Sequence, residues 1–164
     1  IPTEIPSEMY CHTLTDPSIL SPELNARGFH TLTLFALHTP ASLFDKDHDA
    51  VKEEVVKRIL SGLNDYLVRP ISEYLALDED GAPCIEAKTP QELEQAIGLP
   101  RGNIFHGDLQ FPWKVNGDPR KWGVETNSQR ILIAGSGAVR GGGVSGIAGH
   151  NAAMAALETL KNLP

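Results

Sequence analysis

No apolar run in this chain approaches the roughly 20 residues that a membrane-spanning helix needs, so no integral span is expected. No basic-then-apolar signal sequence opens it either; the location expected is cytoplasmic, or membrane-peripheral for a longer parent protein. Basic residues are in deficit: 14 Lys and Arg stand against 21 Asp and Glu, a formal net charge of −7. They are scattered rather than striped, and a nucleic-acid-binding surface is not expected. There are two cysteines, Cys11 and Cys84, far apart and without CxxC spacing, so they read as reduced thiols. The six histidines show no HxxxH or HExxH spacing. His30 and His38 share a strand face but are too far apart to share a metal, and no metal site is expected.

What the chain does have is length, periodicity and glycine. Its 164 residues suffice for one domain or for parts of two. It begins Ile1-Pro2-Thr3 without an initiator Met, as expected of a processed chain or of a piece excised from a longer one. The opening stretch, 1–25, is proline-rich and reads as extended or looping chain. Phe29 to His38 is rich in β-formers and apolar on both alternating faces, which predicts a central strand covered on both sides. Asp49 is placed to cap a helix running to about Leu67, with Val51, Val55, Ile59, Leu63 and Tyr66 on its buried stripe. Cys84 to Lys88 alternates like a short strand. Thr89-Pro90-Gln91-Glu92 is a helix start, with Thr89 as N-cap and Pro90 at the first helical position; Gly98 and Pro100 end that helix. Residues 111–127 read mostly as loop. Ile131 to Ala134 predicts a buried strand, and a helix follows from about Ser145 to Asn162. The small residues of that helix would let its backbone approach a neighbour closely. These elements together predict an α+β fold, a mixed sheet with packed helices that ends in strand, glycine-rich loop and helix.

A strand that runs into glycines and then a helix suggests an anion site, because free N–H groups at a helix start point at electron-rich atoms. Glycine suits such a loop by having no Cβ to block approach. Two familiar versions fail. After Gly135-Ser136-Gly137-Ala138-Val139 comes Arg140 where a dinucleotide fingerprint needs its third glycine, and no second strand with an acidic residue follows. Nor is there a Gly-Lys-Ser/Thr for a P-loop. On these residues alone, tight strand-to-helix packing explains the glycines as well as a ligand does.

A longer pattern separates the two. Ile131 to Ala138, then Gly141-Gly142-Gly143-Val144-Ser145-Gly146 and Gly149-His150-Asn151-Ala152-Ala153, resembles the closing segment of phytoene-dehydrogenase-like FAD oxidoreductases with an amine-oxidase-like fold. Gly102 to Leu109 and Asp16-Pro17-Ser18 resemble further segments of that family, in the same order. Arg140 departs from it, standing where many relatives carry proline. The resemblance implies a two-domain flavoprotein of which this chain is the C-terminal portion. Residues 1–110 would be part of the substrate-binding domain and 111–164 the C-terminal segment of the FAD-binding domain. It further implies that Gly135, Ser136 and Gly137 lie near the pyrophosphate and ribityl chain of FAD. Gly142, Gly143, Val144, Ser145 and Gly146 would bring a helix N-terminus to the flavin ring, where its dipole favours the reduced flavin's negative charge. The partner implied is the N-terminal half of the same polypeptide, and the substrate a lipophilic or small organic molecule oxidised by hydride transfer. The chain alone would then be colourless and inactive, and surfaces built to meet the missing half would be open to pairing in a homodimer. No Ser-His-Asp or Cys-His arrangement is present, and no catalytic residue is assigned. His106 with Asp108 could form an acid–base pair on an extended segment. Trp113 and Trp122 could line an apolar cavity or anchor loops. The competing reading is an independent, non-catalytic module for a phosphate-bearing ligand or a protein partner.

Overall fold

A computed structural model describes residues 1–107, 117, 120–139 and 145–162. These form an α+β protein of two compact units, Ile1–Gln91 and Glu92–Pro164. The expected domain limit between residues 110 and 111 lies outside the described residues. Among the described residues no helix is long and apolar enough to cross a membrane.

In the first unit β1 (Ser7–Tyr10) and β2 (Thr33–Ala36) form an antiparallel pair with Ser7 opposite Ala36 and Tyr10 opposite Thr33. The prediction of a central strand covered on both sides over Phe29–His38 is therefore corrected. Among the described residues β2 has one neighbouring strand, and Phe35 is 52% exposed. The alternation is a property of the strand's own residues, whereas cover depends on neighbours elsewhere in the chain. The opening stretch is also more ordered than its prolines suggest. It holds β1, 3-10 turns at His12–Leu14 and Pro17–Ile19, and α1 (Pro22–Ala26), whose first turn is capped by Ser21 Oγ accepting from the Leu24 N–H at 3.3 Å.

The long helix α2 spans His48–Asn64. Its cap is Asp47, which accepts from the Ala50 N–H at 3.4 Å, and not Asp49, which lies inside the first turn. Val55 is buried, and α2 packs on the turn Ala41–Phe44, whose Ala41 and Phe44 are also buried. The helix stops short of the predicted Leu67. Asn64 Oδ1 accepts from the Ile71 N–H at 2.8 Å and draws the chain into turns, which leaves Tyr66 90% exposed rather than on the buried stripe. Arg58 donates to the Ile1 carbonyl at 3.1 Å and to Glu54 Oε1 at 2.6 Å, tying the first residues to the helix.

The strand expected at Cys84–Lys88 is absent; an isolated bridge joins Leu77 and Pro83 across the Asp78–Gly81 turn. Asp78 Oδ1 closes that turn by accepting from the N–H groups of Asp80 and Ala82 at 3.0 and 2.8 Å, which consumes the polarity of the segment locally. Helix α3 (Pro90–Ile97) forms where predicted, with Gly98 in the left-handed region at φ 68° just past its end. Thr89, before its first residue, is buried and shares a 3.0 Å hydrogen bond with His48 Nε2.

The second unit is organised by α4 (Ile147–Lys161), close to its predicted limits. Ala152 and Ala155 are buried with Val124 and Ala138, and Trp122, Leu132 and Ala148 pack around them. The buried strand expected over Ile131–Ala134 is not formed. Leu132 makes a single bridge to Glu125, the Ile133 N–H donates to the Val124 carbonyl at 2.8 Å, and Ile131 is 59% exposed. The pairing does not continue because the Gly123 carbonyl accepts from the Val139 N–H, beyond the Gly135–Ala138 turn.

Candidate functional site

The glycine segment makes a hydrogen-bonded turn. The Ala138 N–H donates to the Gly135 carbonyl at 3.0 Å, and Ala138 itself is buried. Gly135, Ser136 and Gly137 are thus carried outward on a turn whose far side is fixed in the core. Gly123 secures the exit: its carbonyl accepts from the Val139 N–H at 2.9 Å. A Cβ on Gly123 would meet Val139 Cβ at 2.9 Å, and its φ is +73°, so two independent reasons require glycine there.

Ala134, the residue before the turn, lies against the first turn of α4. A Cβ on Gly149 would stand 3.9 Å from the Ala134 carbonyl oxygen. The small residues of α4 allow this approach, and it brings the Gly135–Ala138 turn and the N-terminus of α4 to one end of the unit. At that N-terminus Gly146 is the N-cap with φ 68°, and Ser145 Oγ accepts from the Ile147 N–H at 3.4 Å. Ser145 and Gly146 are exposed. Gly142, Gly143 and Val144, with Arg140 and Gly141, lie outside the described residues.

The second sequence-matched segment reaches the same place. A Cβ on Gly137 would come within 3.7 Å of His106 Cβ and 3.5 Å of Ile133 Cγ2. His106 sits at the top of a turn built by Asn103. The Asn103 carbonyl accepts from the His106 N–H at 2.8 Å, its Oδ1 accepts from the Phe105 N–H at 2.9 Å, and its Nδ2 donates to the Gly107 carbonyl at 2.9 Å. The turn holds His106 at φ 61°, a left-handed conformation uncommon outside glycine. Asp108, the partner considered for His106, lies outside the described residues, as does Trp113.

Trp122 is an anchor between distant parts of the unit. Its indole Nε1–H donates to Glu158 Oε2 at 3.0 Å, and its carbonyl accepts from Asn151 Nδ2 at 3.1 Å. Lys121 Nζ lies 5.7 Å from its ring centroid and also pairs with Glu158. Glu125 fastens the same segment from within: its carboxylate accepts from the N–H groups of Lys121, Trp122 and Val124 at 3.1, 2.9 and 3.0 Å. Desolvation pushes the Glu125 carboxyl up, but the backbone N–H donors around it outweigh that and hold it below its ordinary value. Lys121 and the Trp122 indole likewise lower Glu158. Trp122 takes the loop-anchor role of the two the sequence offered, while Lys121, Glu125 and Glu158 do not stand out in sequence, since Lys121 and Trp122 meet a carboxylate 36 or more positions away.

In the first unit, Thr13 Oγ1 is buried, shares a 3.0 Å hydrogen bond with His30 Nδ1 and accepts from the Thr31 N–H at 3.2 Å. Among the described residues no group of three His, Cys, Asp or Glu could hold a metal ion, and Cys11 and Cys84 are free.

No protein-family model matches the chain, and no solved structure matches it. An uncharacterized protein of Mycobacterium tuberculosis is 49% identical over 165 residues, covering 98% of this chain and 31% of that protein. Pyridine nucleotide-disulfide oxidoreductase domain-containing protein 2 of Rattus norvegicus is 34% identical over 161 residues, 97% of this chain and 27% of its own length. The mouse protein of that name is 31% identical over 163 residues. The chain thus spans less than a third of the length of the curated relatives it matches. The rat and mouse proteins are named for an oxidoreductase domain.

Proposed function

We propose that this chain is the C-terminal portion of an FAD-dependent oxidoreductase of the phytoene-dehydrogenase-like kind, and that its last third completes the FAD site. One observation carries the reading. A chain similar over 97% of its length to an oxidoreductase-domain protein brings an exposed glycine turn and the N-terminus of a 15-residue helix to one end of a unit. Residues 1–110 then belong to the substrate domain and 111–164 to the FAD domain, with the remaining polypeptide as the partner that holds most of the cofactor.

The residues present fit such a group. Gly135 has nothing within 4 Å of a Cβ position, nor has Gly146, so an approaching ligand meets backbone and not side chain at either. The Ser136 backbone and the first N–H groups of α4 present donors, and the helix dipole adds a partial positive charge there. The Ile147 N–H is already donated to Ser145 Oγ, so the donors open to a ligand are those that follow it in the first turn. When bound, the flavin would supply the hydride acceptor for a lipophilic or small organic substrate. This chain's residues would bind its electron-rich edge and exclude water from it.

The test is flavin content in the longer polypeptide encoded by the gene and in the 164-residue chain. The longer protein is expected to purify with flavin absorbance and the short chain without it. Gly135→Val in the longer protein is expected to lower flavin occupancy while far-UV circular dichroism is unchanged, because Gly135 has open space at its Cβ position and no left-handed backbone. Full occupancy in that variant, or stoichiometric flavin on the short chain, would overturn the proposal.

A further inference from the structure

We infer that the outer edge of β2 is the docking site of a further β-strand, supplied by the polypeptide that the longer relatives possess beyond the span matched here. The inference rests on the reading of this chain as one part of a longer protein.

The backbone defines the edge. The Leu37 N–H donates to the Pro6 carbonyl at 2.8 Å, in register with the pairs Phe35–Glu8 and Thr33–Tyr10. By the alternation of an antiparallel ladder, Thr33 and Phe35 bond toward β1, and Leu34 and Ala36 turn their N–H and C=O groups outward. The Ala36 carbonyl accepts from Thr39 Oγ1 at 3.0 Å, which ends the edge at that residue. Among the described residues no strand lies beyond it.

Composition points the same way. Strands that end a sheet are normally blunted by charge or proline. β1 follows that rule, with Pro6 before it and Glu8 within it. From Phe29 to Leu37 there is no Asp, Glu, Lys, Arg or Pro, so β2 has the makeup of an inner strand. Its two faces agree. Phe35, Tyr10 and Leu37 are exposed on one side, and Met9 and Leu32 on the other. A two-stranded ribbon open on both faces is at best marginally stable in water. The occupant is therefore a strand with apolar side chains on both of its own faces, flanked by layers that cover the ribbon. The relatives have more than two thirds of their length outside the matched span from which to supply it.

Residue-resolved hydrogen–deuterium exchange on the longer polypeptide and on the 164-residue chain tests this. The Leu34 and Ala36 amides are expected to exchange about a hundredfold or more slower in the longer protein, approaching the rate of Phe35. Equal rates in both would overturn the inference. So would a gene encoding nothing beyond these residues. Protection in the short chain that grows with concentration, alongside a dimer in sedimentation, would assign the edge to a second copy and also overturn it. Flavin absorbance in the same samples separates the two readings. Flavin with an unprotected edge sinks this inference alone, and a protected edge without flavin sinks the proposed function alone.

Discussion

A single methyl group added at Gly123 has nowhere to go, because Val139 Cβ occupies the position at 2.9 Å and the backbone there is left-handed. Gly123→Ala is therefore expected to destabilise the second unit by about 1–3 kcal/mol, measured by urea unfolding. Glu125 makes a different prediction at the same scale. Its folded carboxyl is held below the ordinary value of 4.5. The stability it contributes is fully present above that value and is lost as pH falls through the lower folded one. Near-ultraviolet circular dichroism of Trp122, read in a Trp113→Phe background, should report that acid transition. Glu125→Ala should reduce the pH dependence to the part that Glu158 contributes and cost about 1–3 kcal/mol at neutral pH, by leaving the Lys121, Trp122 and Val124 N–H groups without their acceptor. The cysteines, histidines and tryptophans drew attention in the sequence, whereas Gly123 and Glu125 did not.

At the scale of elements, the helices were the legible part. The 3.6-residue stripe from Val51 to Leu63 and the Thr89-Pro90 start are local signals, and α2 and α3 stand where they point. Asp47 replaced Asp49 as the α2 cap because capping depends on which residue leaves helical geometry, and both are aspartates within three positions. The strands were less legible, since a strand is completed by its neighbours and not by its own residues. Phe29–His38 yielded four residues of strand, and Ile131–Ala134 yielded one bridge. The small face of α4 was readable, and its use is testable. Ala155→Leu, forced into the contact with Val124 and Ala138, is expected to cost about 1–3 kcal/mol by thermal or urea unfolding. Ala153→Leu, on the exposed side of the same helix, should change stability by about 0.5 kcal/mol or less.

At the scale of the molecule, the first unit leaves Met9, Leu32, Phe35 and Leu77 exposed, and the second leaves Ile131, Leu157 and Leu160. Exposed apolar side chains of this kind offer binding places to an apolar-surface dye. The 164-residue chain is accordingly expected to enhance the fluorescence of an apolar-surface dye such as ANS, and the same residues within the longer polypeptide to lose most of that signal. Unchanged dye binding in the longer protein would mean that these side chains are solvent-facing in the finished molecule as well.

The amino-acid sequence by itself determined the α+β class, the periods and approximate limits of α2, α3 and α4, and the glycine-to-helix order of the candidate site. Each of these follows from residues close together in the chain. Only the tertiary structure decided the rest. It placed His106 against Gly137, seated Ala134 on Gly149, and joined Lys121 and Trp122 to Glu158 across the fold. It also reduced two predicted covered strands to an exposed ribbon and a bridge. Burial and pairing are properties of neighbours distant in sequence, which a strand's own pattern does not contain.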